Sequence, residues 1–217
     1  QSNNSFSIGG SISVNCHGWQ FNQAPVASTV ESFLLLLAGC ELKRCSREEN
    51  QELFSLALGG YGLFGVILEV DLKIIENRCY LLKQHIVAAG EALSIFDIDI
   101  AHKENVEMVY ARMNVSKEHF LSEVIINSLY HSPDQPIPAL SERGLEDLRR
   151  LIFRGSEKNE YGKNLRWSAE TKIQPLLKGS YFSRNQLLNE SVKVFENRSS
   201  STTDILHEYF IPREQVI

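Results

Sequence analysis

Two glycine-bearing stretches constrain this chain more than any other feature. One is "FSIGGSISVNCHGWQ", residues 6–20, and the other is "GGYGLFGVI", residues 59–67. Glycine has no Cβ, so its backbone can approach a ligand closely or turn through conformations closed to other residues. The N–H groups of a pair such as Gly9-Gly10 bind phosphate oxygens without a cationic side chain, which suits a diphosphate. Read alone, the same pair is a tight turn. His17 followed by Gly18 raises a third reading, a metal ligand, but no second His or acidic cluster stands at ligand spacing. The expectation is therefore no metal.

Between the two stretches, "STVESFLLLLAGCELKRCS" predicts strands over Val30–Leu37 and Glu41–Cys45, joined at Ala38-Gly39 as a hairpin. "SREENQELFSLALGG" predicts a helix opening at Ser46, with Leu53, Phe54, Ala57 and Leu58 on one face and a stop at Gly59-Gly60. "GVILEVDLKII", Gly65–Ile75, alternates as a strand with Asp71 and Lys73 toward water.

From Glu76 the texture changes. "CYLLKQHIVAA", "VEMVYARMNV" and "LSEVIINSLYH" predict strands of an antiparallel sheet, with a helix near Gly90–Ile98 between the first two. "SERGLEDLRRLIFRG" spaces Leu145, Leu148, Leu151 and Ile152 for a helix, and the polar stretch Ser156–Leu165 reads as a loop. "TTDILHEYFIP" predicts a strand stopped at Pro212, and "REQVI" the start of a helix that is cut off. The fold class expected is α+β.

Composition excludes several functions. A net charge of −5 with only a small Arg149-Arg150-Arg154 cluster predicts no nucleic-acid partner, because phosphate binding needs clustered cations. The apolar run Phe33–Ala38 is far shorter than the roughly 20 residues that span a bilayer, so no membrane-spanning segment is expected. Four cysteines without CxxC spacing read as buried thiols in a reducing compartment, hence a cytoplasmic location.

In their order along the chain, these motifs resemble a known family. "SIGGSISVNCHGWQ" followed by "CSREENQELFSLALGGYGLFGVILEVDLKI" is similar to the second half of the FAD-binding domain of the vanillyl-alcohol-oxidase (PCMH-type) FAD-linked oxidoreductases. Those proteins carry an Ile-Gly-Gly or Val-Gly-Gly segment, a His-Gly pair, a strand hairpin, an S-x-x-x-N-x-x-L-F helix entrance and G-G-x-G-x-x-G-V-I. "TDILHEYFIP" resembles a segment of the family's substrate or cap domain, and the nearest flavour is that of sugar and polyol oxidases and the decaprenylphosphoryl-ribose oxidase group.

The resemblance implies that residues 1–76 are the C-terminal portion of the FAD-binding domain, and 77–217 part of a substrate or cap domain with an antiparallel sheet. It implies that Ser7, Ile8, Gly9 and Gly10 form a loop against the FAD diphosphate and ribityl chain. Val14, Asn15, Cys16 and His17 continue along the cofactor, Gly18 permits the turn, and Ile67 offers backbone hydrogen bonds. Gly59, Gly60, Gly62 and Gly65 shape that turn. FAD is expected to be noncovalent, with Cys16 a packed neighbour rather than an attachment point.

The parent enzyme implied is an FAD-dependent oxidoreductase that oxidises a small-molecule alcohol, a sugar or polyol, by hydride transfer to flavin N5. The family's first glycine-rich loop and its C-terminal part have no counterpart in these 217 residues, so the reading is of an inactive fragment that can lack FAD. An incomplete sheet exposes an edge able to pair with a second copy, a homo-oligomer. Two alternatives stand beside this reading: a non-catalytic module that folds without FAD, and a flavin-dependent sugar oxidase acting within an epimerisation. The catalytic residues are not assigned. His17 reads as positioning the flavin rather than moving protons, and His85, His102, His119, His131 and His207 as surface or core histidines. The group Arg184-Asn185-Gln186 beside Tyr181 and Phe182 reads first as a helix cap or loop tie and second as a substrate pocket, and Trp167 is similarly open.

Overall fold

The computed structural model describes residues 2–141, 144–172, 179–206 and 208–216. The chain divides into two compact units, Gln1–Asn77 and Arg78–Ile217. Each contains an antiparallel sheet with helices, so the class is α+β.

The first unit runs α1 (Ile8–Ser13), a 3₁₀ turn at Val26–Thr29, β1 (Val30–Leu36), β2 (Leu42–Ser46), α2 (Gln51–Ala57) and β3 (Val66–Leu72). Its sheet has the order β2-β1-β3, with β1 central and antiparallel to both neighbours. A register irregularity between Val30 and Ser32 changes the phase of β1, and Val30, Phe33 and Leu35 are all fully buried. Phe54 of α2 stacks on Phe33 with ring centroids 5.2 Å apart. Burying a side chain of this size stabilises by about 1.5–3 kcal/mol, so this pair anchors the helix to the sheet. Arg47 donates to Val30 O at 2.6 Å and to Ala27 O at 3.1 Å while lying over the Phe54 ring, closing the end of the sheet. Across all three strands, Arg44 and Ser32 both reach Asp71, and the Ser32 hydroxyl and then Arg44 hold that carboxyl below its ordinary pKa.

Two expectations in this unit are corrected. Ser7 through Gly10 is not an open loop: Ser7 is the N-cap of α1, and its Oγ accepts from Gly10 N at 3.0 Å. Ser46 does not open α2. It ends β2 and its hydroxyl accepts from the amides of Glu48 and Glu49, while the helix starts at Gln51 behind a left-handed Asn50. The Ser-led helix signal was spent on a turn, since Ser hydroxyls cap turns as readily as helices.

The second unit runs β4 (Cys79–Ala88), α3 (Ala92–Phe96) with a π-turn continuation Asp97–Ala101, β5 (Val106–Met113), β6 (Glu123–His131), α4 (Glu146–Lys158), α5 (Glu160–Lys172), β7 (Tyr181–Ser183) and α6 (Arg184–Leu187). The sheet order is β5-β6-β4-β7, antiparallel throughout. β6 is buried along seven consecutive residues, Val124–Tyr130, as expected for a central strand covered on both faces. One face carries a buried amide pair, Gln84 Nε2 donating to Asn127 Oδ1 at 3.0 Å. On the other, Tyr130 donates to Asp99 O at 2.6 Å, tying the π-turn to the sheet. At one end Glu107 gathers Arg78 (2.6 Å) and the Tyr80 hydroxyl (2.5 Å). Burial first, then the Glu107 carboxylate, pushes the Tyr80 phenol up to about 12.

Three expectations change here. Residues 156–165 are helical, not a loop, apart from the break at Asn159 between α4 and α5. The two helices cross at glycines so closely that a Cβ on Gly162 would stand 2.1 Å from Gly155 O. α5 shows no apolar stripe because ion pairs support it instead, Glu160 with Lys163 and Arg166 with Glu170. The Leu145, Leu148 and Leu151 stripe of α4 stays 72, 49 and 68% exposed. α4 packs through Phe153, edge-on to Phe195 at 5.0 Å.

The strand expected at Thr203–Pro212 is absent among the described residues of that segment. Ile205, Leu206, Tyr209 and Phe210 are each more than three-quarters exposed. Alternation makes a strand only where a partner offers its hydrogen bonds, and no described strand pairs with this segment. His207 lies outside the described residues, as do 142 and 143 before α4. The helix start expected at "REQVI" is a single 3₁₀ turn, Arg213–Gln215.

Candidate functional site

The glycine turn after α2 determines the geometry of the first unit's cavity. Gly59 and Gly62 have φ of +78° and +76°, and a Cβ on Gly65 (φ +146°) would stand 2.5 Å from Leu36 O, so side chains are barred there. This turn is hydrogen-bonded to the opening segment: Gly59 N donates to Ile12 O and Tyr61 N to Ser13 O, both at 2.9 Å. The two glycine stretches of the sequence are thereby brought into direct contact.

A cavity of about 270 Å³ lies at this junction, lined by Gly9, Ser13, Ala57, Gly62, Phe64, Gly65, Val66 and Ile67. Of the expected site residues, the structure brings Gly9 and Ile67 together here. Gly9 is informative because a Cβ on it would meet no atom within 4 Å beyond its chain neighbours and its own helix backbone, so no packing contact of the fold requires glycine at that position. Its missing side chain leaves open space instead. The amides of Ile8 and Gly9 lie in the first turn of α1, before the intrahelical ladder begins. Ile67 sits on β3, an edge strand, where alternate residues turn their N–H and C=O away from the neighbouring strand.

The other expected residues do not line this cavity. Ser7 caps α1, and Ile8 and Val14 are exposed at 55 and 48%. Asn15 is left-handed (φ 46°), with its Oδ1 accepting from Ala27 N at 3.0 Å. Cys16 is held by its backbone, its N donating to Ser11 O and its O accepting from Val26 N. His17 is exposed, with Nδ1 3.4 Å from Gly18 O. Gly10 has a structural role, since a Cβ there would stand 3.0 Å from the capping Ser7 Oγ.

Ser13, Ala57, Phe64 and Val66 were not anticipated as lining residues. The only sequence signal of Ser13 and Ala57 is a small side chain at the end of α1 and of α2. No acid, base or cation lines the cavity, so it can bind and shape a ligand through backbone groups and apolar contact but cannot move protons. In the second unit, Ser183 caps α6 through Gln186 N (3.2 Å), and Gln186 Oε1 accepts from Ser141 N (2.7 Å). Ser183 and Gln186 thus act as a cap and a loop tie. Among the described residues no group of three His, Cys, Asp or Glu could hold a metal ion. No described helix is long and apolar enough to cross a membrane. None of the four cysteines forms a disulfide.

Comparison with known proteins gives a consistent class for part of the chain. No family model matches it. It is 31% identical over 81 residues to D-arabinono-1,4-lactone oxidase of Yarrowia lipolytica, covering 37% of this chain and 15% of that protein. It is 35% identical over 68 residues to cytokinin dehydrogenase 5 of Arabidopsis thaliana, covering 31% of this chain and 13% of the relative. It is 32% identical over 84 residues to mitochondrial L-galactono-1,4-lactone dehydrogenase 2 of Oryza sativa subsp. japonica, covering 39% and 14%. The relatives are oxidoreductases by name, and the chain spans 13 to 15% of their length.

Proposed function

We propose that this chain is part of an FAD-dependent oxidoreductase of the PCMH type, and that its first unit supplies one wall of the flavin site. The observation that carries the reading is Gly9, a glycine that no packing contact of the fold requires, opening a cavity whose other walls are the glycine turn and Ile67. At about 270 Å³ the cavity is slightly smaller than complete small-ligand pockets, which run from about 300 Å³ upward, and this suits a site holding only part of a dinucleotide. The amide of Gly9 would face diphosphate oxygens, and β3 would offer the backbone of Ile67.

Bound FAD would supply hydride acceptance at N5. The chain's own contribution is positional: it binds without a cation, offers apolar contact through Phe64 and Val66, and leaves proton transfer to residues elsewhere. Attachment is read as noncovalent, with Cys16 fixed through its backbone rather than serving as a linkage. Residues 77–217 are read as part of the substrate domain. Two of the relatives are named for sugar lactones and one for cytokinin, so a sugar-derived alcohol or lactone is the proposed substrate class. The reducing cytoplasm is the proposed location, beside a relative named as mitochondrial. A second copy pairing at a sheet edge is the proposed assembly.

Titrating FAD into the purified chain tests the reading by flavin fluorescence. The expected result is weak, saturable quenching that Gly9→Val abolishes while the circular dichroism spectrum is unchanged. No quenching, or equal quenching by Gly9→Val, would remove the flavin reading and favour a module that folds without FAD.

A further inference from the structure

A second cavity, of about 360 Å³, lies within the second unit. Its walls are Arg112, Met113 and Val115 at the end of β5, Ser156 of α4, and Lys163, Arg166, Trp167 and Glu170 of α5. The volume falls in the range of small-ligand pockets, roughly 300–1,000 Å³. Unlike the glycine cavity, its lining is charged.

The charge is arranged rather than scattered. Glu170 Oε1 accepts from Arg112 Nη1 at 2.8 Å and from Arg166 Nε at 3.0 Å, so two guanidinium groups share one carboxylate oxygen. Glu170 is well shielded, its side chain 15% exposed. Arg166 is further fixed by the buried Ser156, whose Oγ is 3.3 Å from Nη1, and by stacking over the Phe153 ring. Lys163 is neutralised by Glu160, which itself lies outside the lining. Two arginines against one glutamate leave one uncompensated positive charge facing the cavity. Among the described residues the Arg112 side chain makes no hydrogen bond other than that to Glu170. Its planar fork therefore retains donors suited to a bidentate oxyanion.

Beside these donors, Trp167, Met113 and Val115 give an aromatic and an aliphatic wall. A site with one pole positive and the other apolar selects a small amphipathic anion. We infer that this cavity binds a small organic oxyanion with an apolar or aromatic body, its carboxylate or phosphate on Arg112 and Arg166 and its body against Trp167. The site is complete within Arg78–Ile217 and does not rest on the flavin reading.

Calorimetric titration of the whole chain, without flavin, tests this with three probes: benzoate, phenyl phosphate and inorganic phosphate. Benzoate or phenyl phosphate should bind more tightly than inorganic phosphate, and whichever of the two is tighter distinguishes a carboxylate from a phosphate ligand. Arg112→Gln should weaken that probe about tenfold or more, since a charge-assisted hydrogen bond is lost. Trp167→Leu should erase the preference over inorganic phosphate. Arg112 is a partly exposed residue on an edge strand, so Arg112→Gln keeps the fold, checked by its melting curve. Absence of binding by every probe, or equal binding by Arg112→Gln, overturns the inference.

Discussion

The two cavities of this chain are built from opposite materials. The first is made of backbone: three of its eight lining residues are glycine, none is charged, and its shape depends on turns that bar side chains. The second is made of side chains: half of its eight lining residues are charged, and its shape depends on Glu170 holding two guanidinium groups. The difference teaches where each is vulnerable. A backbone site is damaged by any added Cβ and is indifferent to charge substitution. A side-chain site responds to charge, and its fold tolerates the loss of one of its arginines.

The largest effect should come from the core that holds the first cavity's walls in place. Phe33→Ala removes a fully buried ring stacked on Phe54 and should cost about 3–5 kcal/mol, read by denaturant unfolding of the chain. Next is Gly60→Ala: the new Cβ would lie 2.1 Å from Leu56 O, and overpacking against backbone should cost about 1–3 kcal/mol. If Gly60→Ala were as stable as the parent, the glycine turn would not be the rigid wall described.

Alkali should act on the second unit most, although burial also raises the Cys45 thiol of the first. Burial keeps the Tyr80 phenol neutral up to about 12, against an ordinary value near 10, and burial also raises Cys79 and Tyr130. The neutral phenol is favoured in the folded chain, so its contribution is whole below about pH 10 and is lost as pH rises from there toward 12. A loss on the order of 2 kcal/mol is expected from Tyr80, followed by thermal melting across that window. Tyr80→Phe should flatten that pH dependence.

Smallest of all should be the stability change in Gly9→Ala. With no atom beyond its own helix and chain neighbours within 4 Å of the new Cβ, and a helical position, stability should stay level or rise by up to about 1 kcal/mol. A large destabilisation would mean that Gly9 serves the fold rather than a ligand.

Much of this was visible in the sequence, and what was hidden had physical causes. β1 and β2 around Ala38-Gly39, β3, and the three long strands of the second unit all follow from alternation and β-branched residues. The glycine stretches were legible because turns that bar side chains leave a compositional mark, and the expectation for Gly9 and Ile67 came from the family those stretches resemble. Ser13 and Ala57 were not legible, because a small residue at a helix end has many uses.

Of the arginine cavity only Trp167 drew attention in the sequence, its role left open between structure and a pocket. The cavity's residues run from Arg112 to Glu170 and meet through the Arg112–Glu170 ion pair and the close approach of α4 and α5 at Gly155 and Gly162, which no spacing reveals. α5 was hidden for a related reason, being held by ion pairs instead of an apolar stripe. The segment 203–212 misled in the opposite direction: its alternation is that of a strand, but pairing is a tertiary event.

The account rests on the claim that the first cavity recognises its ligand through backbone. Amide chemical-shift mapping of the isotope-labelled chain during an FAD titration tests this residue by residue. The predicted result is concerted, saturable shifts at Gly9, Gly62 and Ile67, with little change at Arg112 and Arg166. Shifts confined to charged residues of the second unit, or none at Gly9 at saturating FAD, would contradict it.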